Sequence, residues 1–301
     1  MDIDIKIFRS KDGAKLKYVD EGSGTPFLYI YGMGSSIASQ TPFIKLMSEH
    51  CRIIVFDQRG YGITEAVGEI GIHQSARDAK DLMDYLGIQK HIVLGYSMGA
   101  AVVFSYVNQF GCKNLEKVIL GDMSPKLINE DGWNLGLYQG HYTRAMYEKD
   151  IDLIRTDYKR FALYVTEQLM YKNTPQQERT SYSSAEEIRA RIINGEHSPL
   201  IEQALFSGLV DIPKKQSDSI YYYWVTMADS DFRDVLKRIS VPTAIIYATP
   251  GSGYAPGTAE YMYSRIPDSI LCPMHDCSHM AAAENAPMYM RYLFDFCNIK
   301  R

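Results

Sequence analysis

The stretch His91-Ile92-Val93-Leu94-Gly95-Tyr96-Ser97-Met98-Gly99-Ala100 decides how the rest of the chain is read. His91 to Tyr96 reads as a strand buried on both faces, and Met98 to Phe110 as a largely apolar helix closed by Gly111. Between them, Gly95-Tyr96-Ser97-Met98-Gly99 matches G-x-S-x-G. In a strand–turn–helix setting this motif lifts a serine hydroxyl above the edge of a sheet. A side chain at either glycine would collide with the neighbouring strand or helix in so tight a turn. The start of the helix favours negative charge developing beside the serine. Ser97 is therefore the candidate nucleophile.

Working outward, strand and helix patterns alternate. Ile3 to Phe8 and Ala14 to Asp20, joined by Lys11-Asp12-Gly13, read as an antiparallel hairpin. Phe27 to Tyr31, Arg52 to Phe56, Lys117 to Leu120, Thr243 to Ala248 and Ser269 to Met274 read as strands. Helical spacing occupies Ser39 to His50, His73 to Leu86, Gly257 to Ile266 and Met288 to Asn298. This alternation predicts an α/β fold with a mostly parallel central sheet flanked by helices. From about Trp133 to about Tyr223 the patterns are helical, with no convincing buried strand, and include the polar segment Lys172 to Ser184. The expected organisation is a core split into 1–125 and 232–301, with a helical cap inserted at 126–231.

Bulk properties exclude several classes. The chain has 301 residues, 46% apolar and 23% charged, with net charge −4 and no basic stripe for nucleic acid. The five cysteines are odd in number and lack CxxC spacing, which fits reduced thiols rather than a metal site. Met-Asp-Ile-Asp-Ile-Lys at the start has no basic segment followed by an apolar one, and no apolar run approaches membrane length. A soluble cytoplasmic protein acting on a small molecule is expected. Nothing in the sequence bears on oligomeric state.

The chemistry of a serine nucleophile needs two further parts. Acyl transfer needs two backbone N–H donors aimed at the oxyanion. Met98, after the nucleophile, is one candidate donor. Met33, in Tyr31-Gly32-Met33-Gly34 after a buried strand, is the other. The hydroxyl also needs an imidazole to take its proton and return it. Of seven histidines, His279 lies in a loop after the last strand, at the sheet end where the other motifs point. His275 is a competitor close by; His141 and His197 fall in the insertion.

Taken together, Tyr31-Gly32-Met33-Gly34, Asp57-Gln58-Arg59-Gly60-Tyr61-Gly62, Gly95-Tyr96-Ser97-Met98-Gly99, Cys277-Ser278-His279-Met280 and Glu284-Asn285-Ala286-Pro287 are in order along the chain. In them the chain resembles the α/β-hydrolases of the broad esterase, lipase and non-haem haloperoxidase-like group. The resemblance implies a scaffold role for Asp57 and Arg59. It also implies a triad acid, usually an Asp after the strand at Thr243 to Ala248. Here that loop, Thr249-Pro250-Gly251-Ser252-Gly253-Tyr254, holds no carboxylate. Some members supply the acid one strand earlier, which would be Asp122 here; Asp276, Glu260 or no acid at all are the alternatives. Ser97 argues against the dehalogenases and epoxide hydrolases of this fold, which use an Asp nucleophile.

The expected activity is a serine hydrolase, carboxylesterase-like, cleaving an ester of a small or medium, largely apolar substrate through an acyl-enzyme, with no metal or organic cofactor. The same residues would serve a lactonase, thioesterase, acyltransferase or carbon–carbon hydrolase. A ligand-binding or signalling protein without turnover is the alternative of another class. Tyr31, Trp133, Tyr138 and Tyr222 are candidate substrate contacts, although aromatics in an insertion more often pack it onto a core.

Overall fold

The computed structural model describes residues 3–170, 184–193 and 206–299. Eight strands form one sheet: β1 (Lys6–Arg9), β2 (Lys15–Glu21), β3 (Pro26–Ile30), β4 (Arg52–Phe56), β5 (His91–Tyr96), β6 (Leu115–Gly121), β7 (Thr243–Thr249) and β8 (Ser269–His275). Their order is β1-β2-β4-β3-β5-β6-β7-β8. The β1–β2 hairpin and the β2–β4 pair are antiparallel; every other pair is parallel. Apolar runs such as Phe27-Leu28-Tyr29-Ile30 and Ile53-Ile54-Val55-Phe56 are buried because helices cover both faces of the sheet.

Helices α1 (Thr41–Ser48), α2 (Ile72–Tyr85) and α3 (Met98–Phe110) follow β3, β4 and β5. Gly87 and Gly111, both with positive φ, stop α2 and α3. After β7 and β8 come α8 (Pro256–Tyr263), the short α9 (Ala281–Glu284) and α10 (Ala286–Cys297), the last capped by the Asn285 side chain. β3 pairs with β4 on one side and β5 on the other, so chain order reverses there. The loops leaving β3 and β5 diverge at that switch and leave a crevice at the carboxyl ends of the strands.

Between β6 and β7 lie α4 (Arg144–Thr156), α5 (Tyr158–Met170), α6 (Ala185–Ile193), a π-helical turn (Phe206–Val210) and α7 (Lys214–Ala228). The chain enters and leaves this insertion at one neck: Lys126 bridges Asp231, and Phe232 N–H donates to Pro125 O at 2.8 Å. Tyr223 on α7 docks it on the core, its hydroxyl donating to Arg59 O at 3.1 Å and its ring 5.0 Å from that of Tyr61. The helical reading from Trp133 is corrected at its start, because 126–143 is a looped segment. Asn129 holds it: its Oδ1 accepts from Gly136 N–H at 2.8 Å and its Nδ2 donates to Tyr142 O at 3.0 Å. Tyr138 and Gln139 take φ of 54° and 52°, which no helix accommodates. His197 and, of the polar segment, residues 172–183 lie outside the described residues.

Among the described residues, no helix is long and apolar enough to cross a membrane.

Candidate active site

Ser97 stands between β5 and α3 with φ 54° and ψ −126°. That strain is held by packing. A Cβ on Gly99 would lie 1.9 Å from Ile30 O, and one on Gly95 2.4 Å from Gly99 O. Only glycine lets strand and helix close so tightly. Ser97 N–H donates to Gly121 O at 2.7 Å, which ties the elbow to the end of β6.

The residue after β6 is Asp122. Its backbone, at φ 37°, turns out of the sheet after donating N–H to Ile246 O at 2.8 Å. His279 follows β8 and is 3% exposed. Its Nε2 lies 2.9 Å from Ser97 Oγ, and its Nδ1 lies 2.6 Å from Asp122 Oδ2. An ionised carboxylate only accepts, so Nδ1 carries the proton and Nε2 is left to accept from the serine hydroxyl. The sequence-predicted Ser97, His279 and Asp122 are thus brought into one hydrogen-bonded chain. The competitors are elsewhere. Asp276 and His275 are exposed at the end of β8, and Glu260 is exposed on α8.

Several partners of this chain were not legible as such in the sequence. Ser252 Oγ donates to Asp122 Oδ2 at 2.6 Å. Tyr96 Oη donates to His279 O at 2.5 Å, and His279 N–H donates to Leu169 O of α5 at 3.2 Å. Glu284 accepts from both the N–H and hydroxyl of Ser278 at 2.6 and 3.0 Å, bracing the histidine loop. For Ser252, Ser278 and Glu284 the sequence signal is a serine or an acid in or near a motif, and residue type does not say which way such a side chain points.

Gly32 lies against Ser97: a Cβ there would be 3.0 Å from Ser97 Cβ and 3.5 Å from its Oγ. Met33 follows, and Met98 opens α3, where its N–H has no intrahelical acceptor. Both methionines line a cavity of about 480 Å³ that also holds Ser97 and His279. Its lining includes exposed Pro42, Leu46 and Ala286 and buried Leu127, Leu137 and Trp224. No Asp, Glu, Lys or Arg occurs among the described residues lining it.

Of the four candidate substrate contacts, Tyr138 lines this cavity and the other three do not. Tyr31 is fully buried, its hydroxyl donating to Asp57 Oδ1 at 2.8 Å. A buried carboxylate draws the phenol inward, away from the crevice. Trp133 donates Nε1–H to Lys126 O at 3.1 Å and packs its ring 4.9 Å from Tyr261. Tyr222 is half exposed on the outer side of α7.

Asp57 and Arg59 sit below the site. Burial raises the Asp57 carboxyl, while the N–H groups of Ile63 and Ile37 and the Tyr31 hydroxyl oppose that shift. Arg59, 1% exposed, forms a two-pronged pair with Asp78 at 2.7 and 2.9 Å and also meets Asp12. Neither lines the cavity.

Comparison with known proteins gives a consistent lineage. A family model described as alpha/beta hydrolase fold matches residues 25–286. A proposed non-heme chloroperoxidase of Synechocystis sp. is 26% identical over 239 residues, 76% of this chain and 75% of the relative. The 3-oxoadipate enol-lactonase 1 of Acinetobacter baylyi is 20% identical over 265 residues, 88% of this chain and 85% of the relative. Among solved structures, an esterase from Exiguobacterium antarcticum superposes with a TM-score of 0.77 at 22% identity, covering 97% of this chain and 98% of its own. At that identity the likeness is one of fold.

Proposed function

The chain belongs to the α/β-hydrolase-fold family, and from that premise we propose that it is a serine hydrolase cleaving a carboxylic ester of a small or medium, uncharged and largely apolar substrate. The observation that carries this reading is the run of contacts from Ser97 Oγ to His279 Nε2 at 2.9 Å and from His279 Nδ1 to Asp122 Oδ2 at 2.6 Å. Ser97 Oγ attacks the ester carbonyl as His279 Nε2 takes its proton. Asp122 keeps the imidazole in the needed tautomer and stabilises the imidazolium. The N–H groups of Met33 and Met98 receive the oxyanion. His279 then returns the proton to the departing alkoxide, leaving an acyl group on Ser97. Water, deprotonated by the same nitrogen, attacks the acyl-enzyme and releases the acid.

The cavity narrows the substrate. Its volume of about 480 Å³ lies within the roughly 300–1,000 Å³ usual for small-molecule sites. The described residues lining it include no Asp, Glu, Lys or Arg, and so offer a carboxylate or ammonium on the substrate no oppositely charged partner of those types. Six methionines line it — Met33, Met98, Met123, Met227, Met280 and Met290 — and such side chains adapt to varied apolar shapes.

A lactone is the second reading, favoured by the enol-lactonase relative that matches 88% of this chain. An oxoadipate lactone itself carries a free carboxylate, and the described lining holds no Lys or Arg to meet it, so an uncharged lactone fits better.

A fluorophosphonate probe tests the nucleophile. It should label Ser97 in the folded protein, and Ser97→Ala should abolish both labelling and hydrolysis of an ester panel. Absence of labelling and of turnover on esters and lactones alike would overturn the proposal and leave a ligand-binding role.

A further inference from the structure

We infer that Ser252 is a positioning residue of this site, fixing through its hydroxyl the carboxylate that orients His279. The inference rests on the proposed roles of Ser97, His279 and Asp122.

Asp122 leaves the sheet in an uncommon backbone conformation, φ 37°, and its carboxylate can turn about a broad, weakly defined torsion. Backbone support for that carboxylate is slight: Ala248 N–H reaches Oδ1 at 3.3 Å. Oδ2 is the working oxygen, facing His279 Nδ1 at 2.6 Å, and Ser252 Oγ meets the same oxygen at 2.6 Å. Since the carboxylate only accepts, the hydroxyl proton of Ser252 is committed to Asp122. A charge-assisted bond of this length in a buried site is of the strong kind. The carboxylate plane is therefore set by three donors on two oxygens, and Ser252 supplies the one that is neither long nor part of the proton relay.

Ser252 is itself held in place. It is fully buried between Gly251 and Gly253. Its N–H donates to Tyr254 O at 3.1 Å, and Tyr254 N–H approaches its Oγ at 3.4 Å. Gln139, from the looped start of the insertion, donates Nε2–H to Ser252 O at 2.9 Å and its backbone N–H to Gly253 O at 3.0 Å. The loop after β7 thus contributes a neutral donor that steers an acid from β6, and the insertion clamps that loop.

The decisive pair is Ser252→Thr and Ser252→Val. Both add bulk to a buried site and differ in the hydroxyl. Threonine should retain most of the ester-hydrolysis kcat. Valine should lose roughly ten- to a hundredfold in kcat, the scale of a charge-assisted hydrogen bond, with KM nearly unchanged. Ser252→Ala, which adds no bulk, is the companion variant in case the larger side chains prevent folding. It should fall like valine and shift the downfield proton resonance of His279 Nδ1–H. Equal kcat in the threonine and valine variants, or an alanine variant with parental kcat and an unmoved resonance, overturns the Ser252 assignment alone when the parent is labelled at Ser97. A parent that neither labels nor turns over overturns the reading of the whole site, and the Ser252 assignment with it.

Discussion

His279 Nδ1 and Asp122 Oδ2 lie 2.6 Å apart across 157 positions of the chain, a contact made from the end of β6 and not from the loop after β7. The adjacent parallel pairing of β6 with β7 and of β7 with β8 brings the two strand ends within reach.

Asp122→Asn should lower ester turnover by about 10⁴-fold while leaving the fold intact, because an amide can donate to Nδ1 and stabilise the wrong tautomer. Asp276→Asn and Glu260→Gln should stay close to the parent. Both residues are exposed, and Asp276 sits at φ 54°, which asparagine tolerates. Steady-state kinetics on one ester compares all three. A large loss in either control with little loss at Asp122 would move the acid.

Gly32→Ala should slow turnover more than it destabilises the fold. The added methyl would stand 3.0 Å from Ser97 Cβ and 3.2 Å from Tyr96 O, so the loop bearing Met33 must shift. Displacing an oxyanion donor costs on the order of 10²–10³ in kcat. Parental kcat in a folded Gly32→Ala protein would remove the Met33 loop from the mechanism.

Leu137→Trp should shorten the acyl chain accepted. Leu137 lines the cavity and is 5% exposed. A larger ring there fills space that a longer acyl chain would occupy, while short esters still reach Ser97. The kcat/KM ratio between long and short p-nitrophenyl esters should fall roughly tenfold or more, since each lost methylene contact in an apolar pocket is worth about 1–3 kcal/mol. An unchanged ratio would show that the acyl chain lies away from Leu137.

His91 should contribute a loss of stability on mild acidification. It is buried on β5, neither ring nitrogen has a hydrogen-bond partner among the described residues, and burial lowers its pKa from 6.5 to about 4. The folded protein keeps this imidazole neutral, whereas the unfolded chain protonates it below its ordinary value. The unfolded state therefore binds more protons, and stability falls as pH drops from 6.5 towards about 4. The whole window corresponds to roughly 3 kcal/mol. His73, lowered by burial as well, adds a slope of the same sign. Urea denaturation of the parent and of His91→Leu, near neutrality and in mild acid, checks this: the leucine variant should show the shallower pH dependence, and equal slopes would refute the assignment.

The sequence by itself carried most of the core elements and the placing of Ser97, the proposed nucleophile, at a strand–helix turn. Buried runs such as Phe27 to Ile30 and the strand–Gly-x-Ser-x-Gly–helix join are local patterns, set by side-chain period and by glycine's backbone freedom, and they survive without knowledge of neighbours. Met33, Met98 and His279 were legible for the same reason, since each follows a strand end that faces the same crevice. Tertiary structure alone decided the rest. Asp122, Asp276 and Glu260 are alike as residues, and only sheet order puts one of them against His279. Ser252 reads as a turn serine until β6 and β7 pair and bring its hydroxyl to Asp122. Tyr31, Trp133, Tyr138 and Tyr222 share an amphipathic chemistry, yet one faces the cavity, one turns to buried Asp57, one packs on Tyr261 and one is half exposed. The direction of a side chain is fixed by the partners that long-range packing brings to it, and the order of residues along the chain does not carry that information.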